Sequence, residues 1–159
     1  ISFEPIKIKI DTTCLGSSSS LIAIINKALN KSKSALESLI KVQKLSEIIQ
    51  LPANKSDNNI NKFNTCLGRS IYQDKNTDDL VIYIRRLDGT SEDLESLNPN
   101  NVNAESFFAK PNIYHSINGR PVIGTVVYDE VKINNNLPEQ IEQKIELLSI
   151  IFCTNLHIY

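Results

Sequence analysis

From Pro5 to Asp11 the chain alternates apolar and charged residues, Ile6-Lys7-Ile8-Lys9-Ile10, which is the period of a strand with one buried face. Ser17 to Ser20 then offer polar caps, and Leu21, Ile22, Ile25, Ala28 and Leu29 recur at helical spacing. That pattern continues less cleanly through Ala35, Leu36 and Leu39, predicting a long amphipathic helix. Ile40 to Leu45 returns to near alternation and predicts a second strand, while Leu51 to Thr65, rich in Asn, Asp and Lys and without a period, reads as a loop. Leu80-Val81-Ile82-Tyr83-Ile84 is a continuous apolar run between acidic and basic pairs, as in a central strand buried on both faces. Glu105 to Lys110, with Phe107 and Phe108, is a candidate edge strand. Gly119-Arg120-Pro121 turns into the β-branched strand Val122 to Tyr128, where Gly124 suggests a bulge or a close backbone approach. Finally Pro138 marks a helix start, Glu139 and Glu142 suit its positive end, and Ile141, Ile145, Leu148 and Phe152 line one face.

The order is therefore β-α-β-β-(β)-β-α, an α/β (α+β) fold: a mixed twisted sheet with a long helix after strand 1 and a C-terminal helix. At 159 residues and 41% hydrophobic, residues 1–159 suffice for one core and are read as a single domain. Seventeen basic against 18 acidic residues give a net charge of −1, which removes any chain-wide attraction to nucleic acid. No apolar run approaches the roughly 20 residues of a transmembrane helix. The chain has no Met and no basic-then-apolar leader, so it reads as a piece of a longer protein.

Some of the composition carries little meaning. The chain holds 23 Ile, 18 Asn and 13 Lys but only 4 Arg, a bias that AT-rich codons produce unaided. The sequons at Asn30 and Asn54 are about as many as chance supplies. Cys14, Cys66 and Cys153 are an odd set at wide spacings, so at most one bridge forms and one thiol is left over.

Phosphate-binding glycine loops, the nucleophile elbow and H-E-x-x-H are all missing, and any histidine chemistry must use His115 or His157. His115, in a polar loop, reads as solvated. The opening "PIKIKID", the passage "ALESLIKVQKL", the element of Cys66 and Gly68, the strand "DDLVIYI" and above all "GRPVIGTVVYD" follow one another in an order that resembles the leishmanolysin-like zinc metallopeptidases. The resemblance runs from Pro5 to the C-terminus. It implies the metzincin-like upper subdomain, an incomplete catalytic domain that ends at the zinc-helix region.

In that family the helix carries H-E-x-x-H: two His one turn apart hold Zn²⁺, and the Glu activates the metal-bound water that attacks a substrate carbonyl. The matching stretch here is Cys153-Thr154-Asn155-Leu156-His157. By resemblance His157 and Cys153 are the metal-ligand positions, and Thr154 stands where the Glu belongs, so no catalytic residue is assigned. Thr154 has no carboxylate to act as general base. The plainer reading of Cys153 and His157, ordinary residues of an apolar helix, is the stronger of the two. Phe107 and Phe108 are candidate substrate-binding residues on an edge to which a peptide adds as a strand, with core packing as the alternative. Arg85-Arg86 and Glu92-Asp93-Glu95 read as solvated charge without function.

The resemblance implies a zinc-dependent metalloendopeptidase acting on protein or peptide substrates outside the cell or at its surface, membrane-associated, with a possible part in adhesion. The alternatives are a catalytically inactive peptide-binding or adhesion module of the same fold and an unrelated small α/β interaction domain, which would lack an edge strand beside the C-terminal helix. The metallopeptidase reading further expects Cys66 in the loop before the central strand and Leu80 to Ile84 and Val122 to Tyr128 as the most buried strands. An incomplete domain leaves apolar surface uncovered, so self-association is expected.

Overall fold

The computed structural model describes residues 3–15, 21–43, 58–71, 79–87, 107–114 and 121–156. Strands β1 (Phe3–Pro5) and β2 (Ile8–Asp11) lead through a 3-10 turn at Thr13–Leu15. Helix α1 (Leu21–Leu39) and strand β3 (Lys41–Gln43) follow, then α2 (Asn58–Leu67), β4 (Leu80–Arg86), β5 (Phe107–Tyr114) and β6 (Pro121–Tyr128). Two further helices, α3 (Glu130–Asn136) and α4 (Ile141–Leu156), complete the described chain. The fold is mixed α/β, as expected. No helix among the described residues is long and apolar enough to cross a membrane.

The main sheet has the order β2-β4-β6-β5, with β2, β4 and β6 parallel and β5 antiparallel to β6. Its middle is where the apolar runs placed it. Every residue of β6 and all of β4 but Arg86 are buried, because a strand with helices on both faces exposes neither side. Leu80, Ile82 and Ile84 face one layer, with Val126 and Tyr128; that layer is α1 and α4, through Ile25, Ala28, Leu29, Leu36, Leu148 and Phe152. Val81 and Tyr83 face the other way with Val127, onto Ile60 and Phe63 of α2. The period of 2 in β4 thus splits the core into two.

Four local expectations need correction. The first strand is not continuous: Ile6 and Lys7 break it into β1 and β2, and β1 pairs antiparallel with β3 in a separate two-stranded sheet. The physical cause is that Ile6 donates its N–H to the carbonyl of Ile40 at 2.9 Å, while Lys7 bonds toward Asp79 at the start of β4. Within 51–65, residues 58 onward are helical, not loop. Ile60, Phe63 and Leu67 fall three and four apart in α2, and tertiary burial of that face outweighs the weak helix propensity of its asparagines.

Cys66 accordingly lies in α2 rather than in a loop. One residue past α2, Gly68 adopts φ +72° and donates its N–H to the carbonyl of Asn64 at 2.9 Å, a left-handed cap that glycine meets without strain. Lastly, the sequence pattern gives no sign of α3, and α4 begins at Ile141, three residues beyond Pro138.

The candidate edge strand is present and longer than expected. The irregularity anticipated at Gly124 falls mainly on its partner: Gly124 opposes Pro111, and register shifts follow between Pro111 and Ile113 and between Ile113 and Tyr114. A proline on the outer strand leaves no inner ladder broken.

Candidate functional site

Of the residues singled out by the resemblance, Phe107, Phe108, Cys153 and Thr154 are described, and they lie on two elements that touch, α4 and β5. Phe107 and Phe108 open β5 and pair with Tyr128 and Val127 of β6. Cys153 and Thr154 stand in the last turn of α4. His157, His115, Glu92, Asp93 and Glu95 lie outside the described residues, so the Cys153 and His157 pair is not seen together.

What positions α4 is its seam with α1. Ser32 sits in the buried stripe of α1, between Ala28 and Leu36, and is fully buried. Its hydroxyl shares a proton between the carbonyls of Ala28, in its own helix, and Ser149, in α4, each at 2.8 Å. Ser149 is buried in turn and donates its hydroxyl to the carbonyl of Glu146 at 2.7 Å. On the outside of the seam Lys31 pairs with Glu146, both half exposed, which contributes little to stability. Sequence reading missed the pair of serines, although the position of Ser32 in the apolar stripe marked it as inward-facing.

Cys153 continues this seam. Its thiol points to the carbonyl of Ser32 at 3.9 Å, and the side chain is half-buried against the α1 and α4 core. Zinc sites take three protein ligands and a water, or four protein ligands. Among the described residues no three His, Cys, Asp or Glu side chains converge, and the one thiol at the expected position is turned to a backbone carbonyl of α1. The described donor set therefore does not by itself fit a zinc ion.

Of the basic pair at the end of β4, which the sequence predicts to be solvated, only Arg86 is. Arg85 is 5% exposed. It follows Val81 and Tyr83 on the α2 face, its guanidinium carbon lies 5.4 Å from the centre of the Phe63 ring, and Nη1 donates to the carbonyl of Arg86 at 3.3 Å. Burial is tolerable because a guanidinium over an aromatic face keeps an electrostatic partner. Arg86 does reach solvent, donating to Glu130 of α3 at 2.9 Å.

Beside that pair, burial pushes the Tyr128 phenol up to about 12; the Glu130 carboxylate adds to the rise and Arg86 opposes it. A phenol whose pKa is higher folded than unfolded stabilises the fold below its unfolded value near 10, and that contribution is lost as pH rises toward 12. Unfolding midpoints in urea are thus expected to hold constant from pH 8 to 9.5 and to fall between about 10 and 12, and a Tyr128→Phe variant should show a shallower fall. The three cysteines divide as the spacing allowed: Cys14 and Cys66 are bonded, with Cα atoms 5.8 Å apart, and Cys153 is free. No protein-family model, no curated protein and no solved structure matches this chain.

Proposed function

We propose that this chain is the sheet-bearing half of a leishmanolysin-like zinc metalloendopeptidase domain, of the metzincin-like kind, which takes extended protein or peptide segments as substrate. The observation that carries the reading is the antiparallel outer strand β5 lying beside α4, the helix that bears Cys153 and Thr154, where the resemblance puts the start of the zinc motif. An extended peptide added to β5 is brought next to that helix. Backbone hydrogen bonds supply its affinity, and Phe107 and Phe108 stand at the end of the strand that meets Tyr128 and Val127. A location outside the cell or at its surface is supported by the bond between Cys14 and Cys66, which persists in an oxidising compartment.

A second reading, an inactive peptide-binding or adhesion module, is favoured by a specific pair of observations. Thr154 stands where the resemblance puts the general base, and the Cys153 thiol is engaged with the carbonyl of Ser32. Under either reading, this chain's own residues bind and orient a peptide; none of those described moves a proton in hydrolysis.

The test is a double variant, Cys153→His with Thr154→Glu, in the full chain. By the resemblance, positions 153 and 157 are the two metal-ligand positions of the family's helix, so zinc affinity measured by competition with a chromophoric chelator is expected to rise by about tenfold or more. No gain overturns the metallopeptidase reading. If zinc affinity rises, cleavage of a fluorescently labelled protein then separates the two readings, the inactive module binding zinc and labelled peptide without cutting.

A further inference from the structure

Of the two N-glycosylation motifs in the sequence, Asn30-Lys31-Ser32 falls in the middle of α1, and Asn54 lies outside the described residues. The motif requires a hydroxyl two residues beyond the acceptor asparagine. A transferase that reads both therefore has to meet the two side chains on one side of the backbone. An extended chain offers that, because residues i and i+2 share a face. A helix does not: at 3.6 residues per turn, Asn30 and Ser32 stand about 200° apart around the axis. Asn30 is exposed, as are Lys27 and Ser34 one turn to either side. Ser32 is fully buried, its hydroxyl held against the carbonyls of Ala28 and Ser149 at 2.8 Å each. In the folded chain the acceptor is thus in solvent, while the hydroxyl that must accompany it is sealed in the seam of α1 and α4.

We propose that Asn30 is an N-glycan acceptor gated by folding, which takes the sugar before α1 closes on α4 and is shut to the transferase afterwards. The open interval follows from α1 itself. The helix contains two Asn and three Ser and has no acidic residue in its first turn and no basic one in its last, so packing has to complete it. Ser149, which seals Ser32, comes 117 positions later in the chain. At about 5 to 20 residues per second, synthesis takes roughly 6 to 23 s to reach it. The sugar does not obstruct closure, since Asn30 is exposed when the seam is shut. In transfer, the amide nitrogen of Asn30 bonds to the anomeric carbon of a lipid-linked oligosaccharide diphosphate. The bond from that carbon to the diphosphate breaks, the lipid diphosphate leaves with the electron pair, and the amide gives one proton to the transferase. Such transfer needs the location outside the cell or at its surface that is proposed for this chain, and none of the zinc chemistry.

The test uses the full chain with Asn54→Gln, which removes the second motif. Glycan at Asn30 is read by peptide mass mapping before and after enzymatic removal of N-glycans. Translated into microsomes behind a supplied signal peptide, the chain is expected to be occupied at Asn30, and Asn30→Gln to lose the signal. Because the signal peptide is supplied, a wrong location produces no negative result here. Folded, unglycosylated chain is then incubated with solubilised transferase and the lipid-linked donor, where transfer tracks the population of the open seam. Leu148→Ala removes a fully buried side chain of α4 from the layer it shares with α1, and is expected to speed that transfer by about tenfold or more. An empty Asn30 after translation into microsomes overturns the acceptor, and equal transfer to the folded chain and to Leu148→Ala overturns the gate. Should Leu148→Ala fail to fold, it presents the open chain directly, and transfer no faster than to the folded chain still overturns the proposal.

Discussion

Reducing the bond between Cys14 and Cys66 is expected to lower the unfolding free energy by about 4 kcal/mol. Closure of the 52-residue separation between the two cysteines removes roughly that much entropy from the unfolded chain. The effect is large against the 5 to 15 kcal/mol typical of a whole domain. The bond also acts locally, fastening α2 to the 3-10 turn that follows β2 and so pressing Ile60 and Phe63 onto the sheet. Urea titrations with and without dithiothreitol measure the effect. Cys14→Ser with Cys66→Ser should reproduce it, whereas Cys153→Ser should leave the sensitivity to reductant intact. A loss below about 1 kcal/mol would mean that the α2 layer is held by its apolar contacts alone.

Phe63→Ala is expected to cost about 3 to 5 kcal/mol, the range for truncating a buried phenylalanine. Phe63 is fully buried and serves two neighbours at once. Its ring meets Tyr83 edge-on, with centroids 6.3 Å apart, and lies under the guanidinium of Arg85. Removing the ring therefore opens a cavity and also takes from a buried cation its aromatic face. Phe63→Leu keeps most of the volume and isolates the second effect. A double-mutant cycle between Phe63→Leu and Arg85→Met, read by chemical denaturation, should give a coupling of about 1 to 2 kcal/mol. No coupling would mean that Arg85 is held by its other contacts.

Legibility in the sequence followed how local the controlling physics is. The central strands were plain because runs such as Leu80 to Ile84 have no polar face to misplace, and α1 because its stripe spans five turns. In α2 the same signal was only three residues long, Ile60, Phe63 and Leu67, and was set among asparagines that favour turns when nothing else intervenes. A basic pair at a strand end is usually solvated, and the local pattern predicts that of Arg85; its burial is tied to Phe63, 22 positions earlier, a pairing that no local window contains. At the candidate site the sequence placed Cys153 and Thr154 on the C-terminal helix and Phe107 and Phe108 on an outer strand, and both elements are there. The direction of the Cys153 thiol was not readable, since it depends on how α4 rolls against α1.

What the sequence by itself determined is the set of elements with strong, self-contained periods: the long helix α1, the buried strands β4 and β6, the strand β5 ahead of β6, and a C-terminal helix. Each of these is specified by neighbours within a few residues, where alternation or helical spacing says which side faces the core. Only the tertiary structure decided how they meet. It chose which two of three cysteines bond, split the opening strand so that β1 joins β3 while β2 joins β4, and laid the Glu37 carboxylate on the edge of β2. Those outcomes rest on single contacts between residues tens of positions apart, each chosen by packing and by the need to satisfy buried or edge polar groups, and a linear pattern holds no record of such distances.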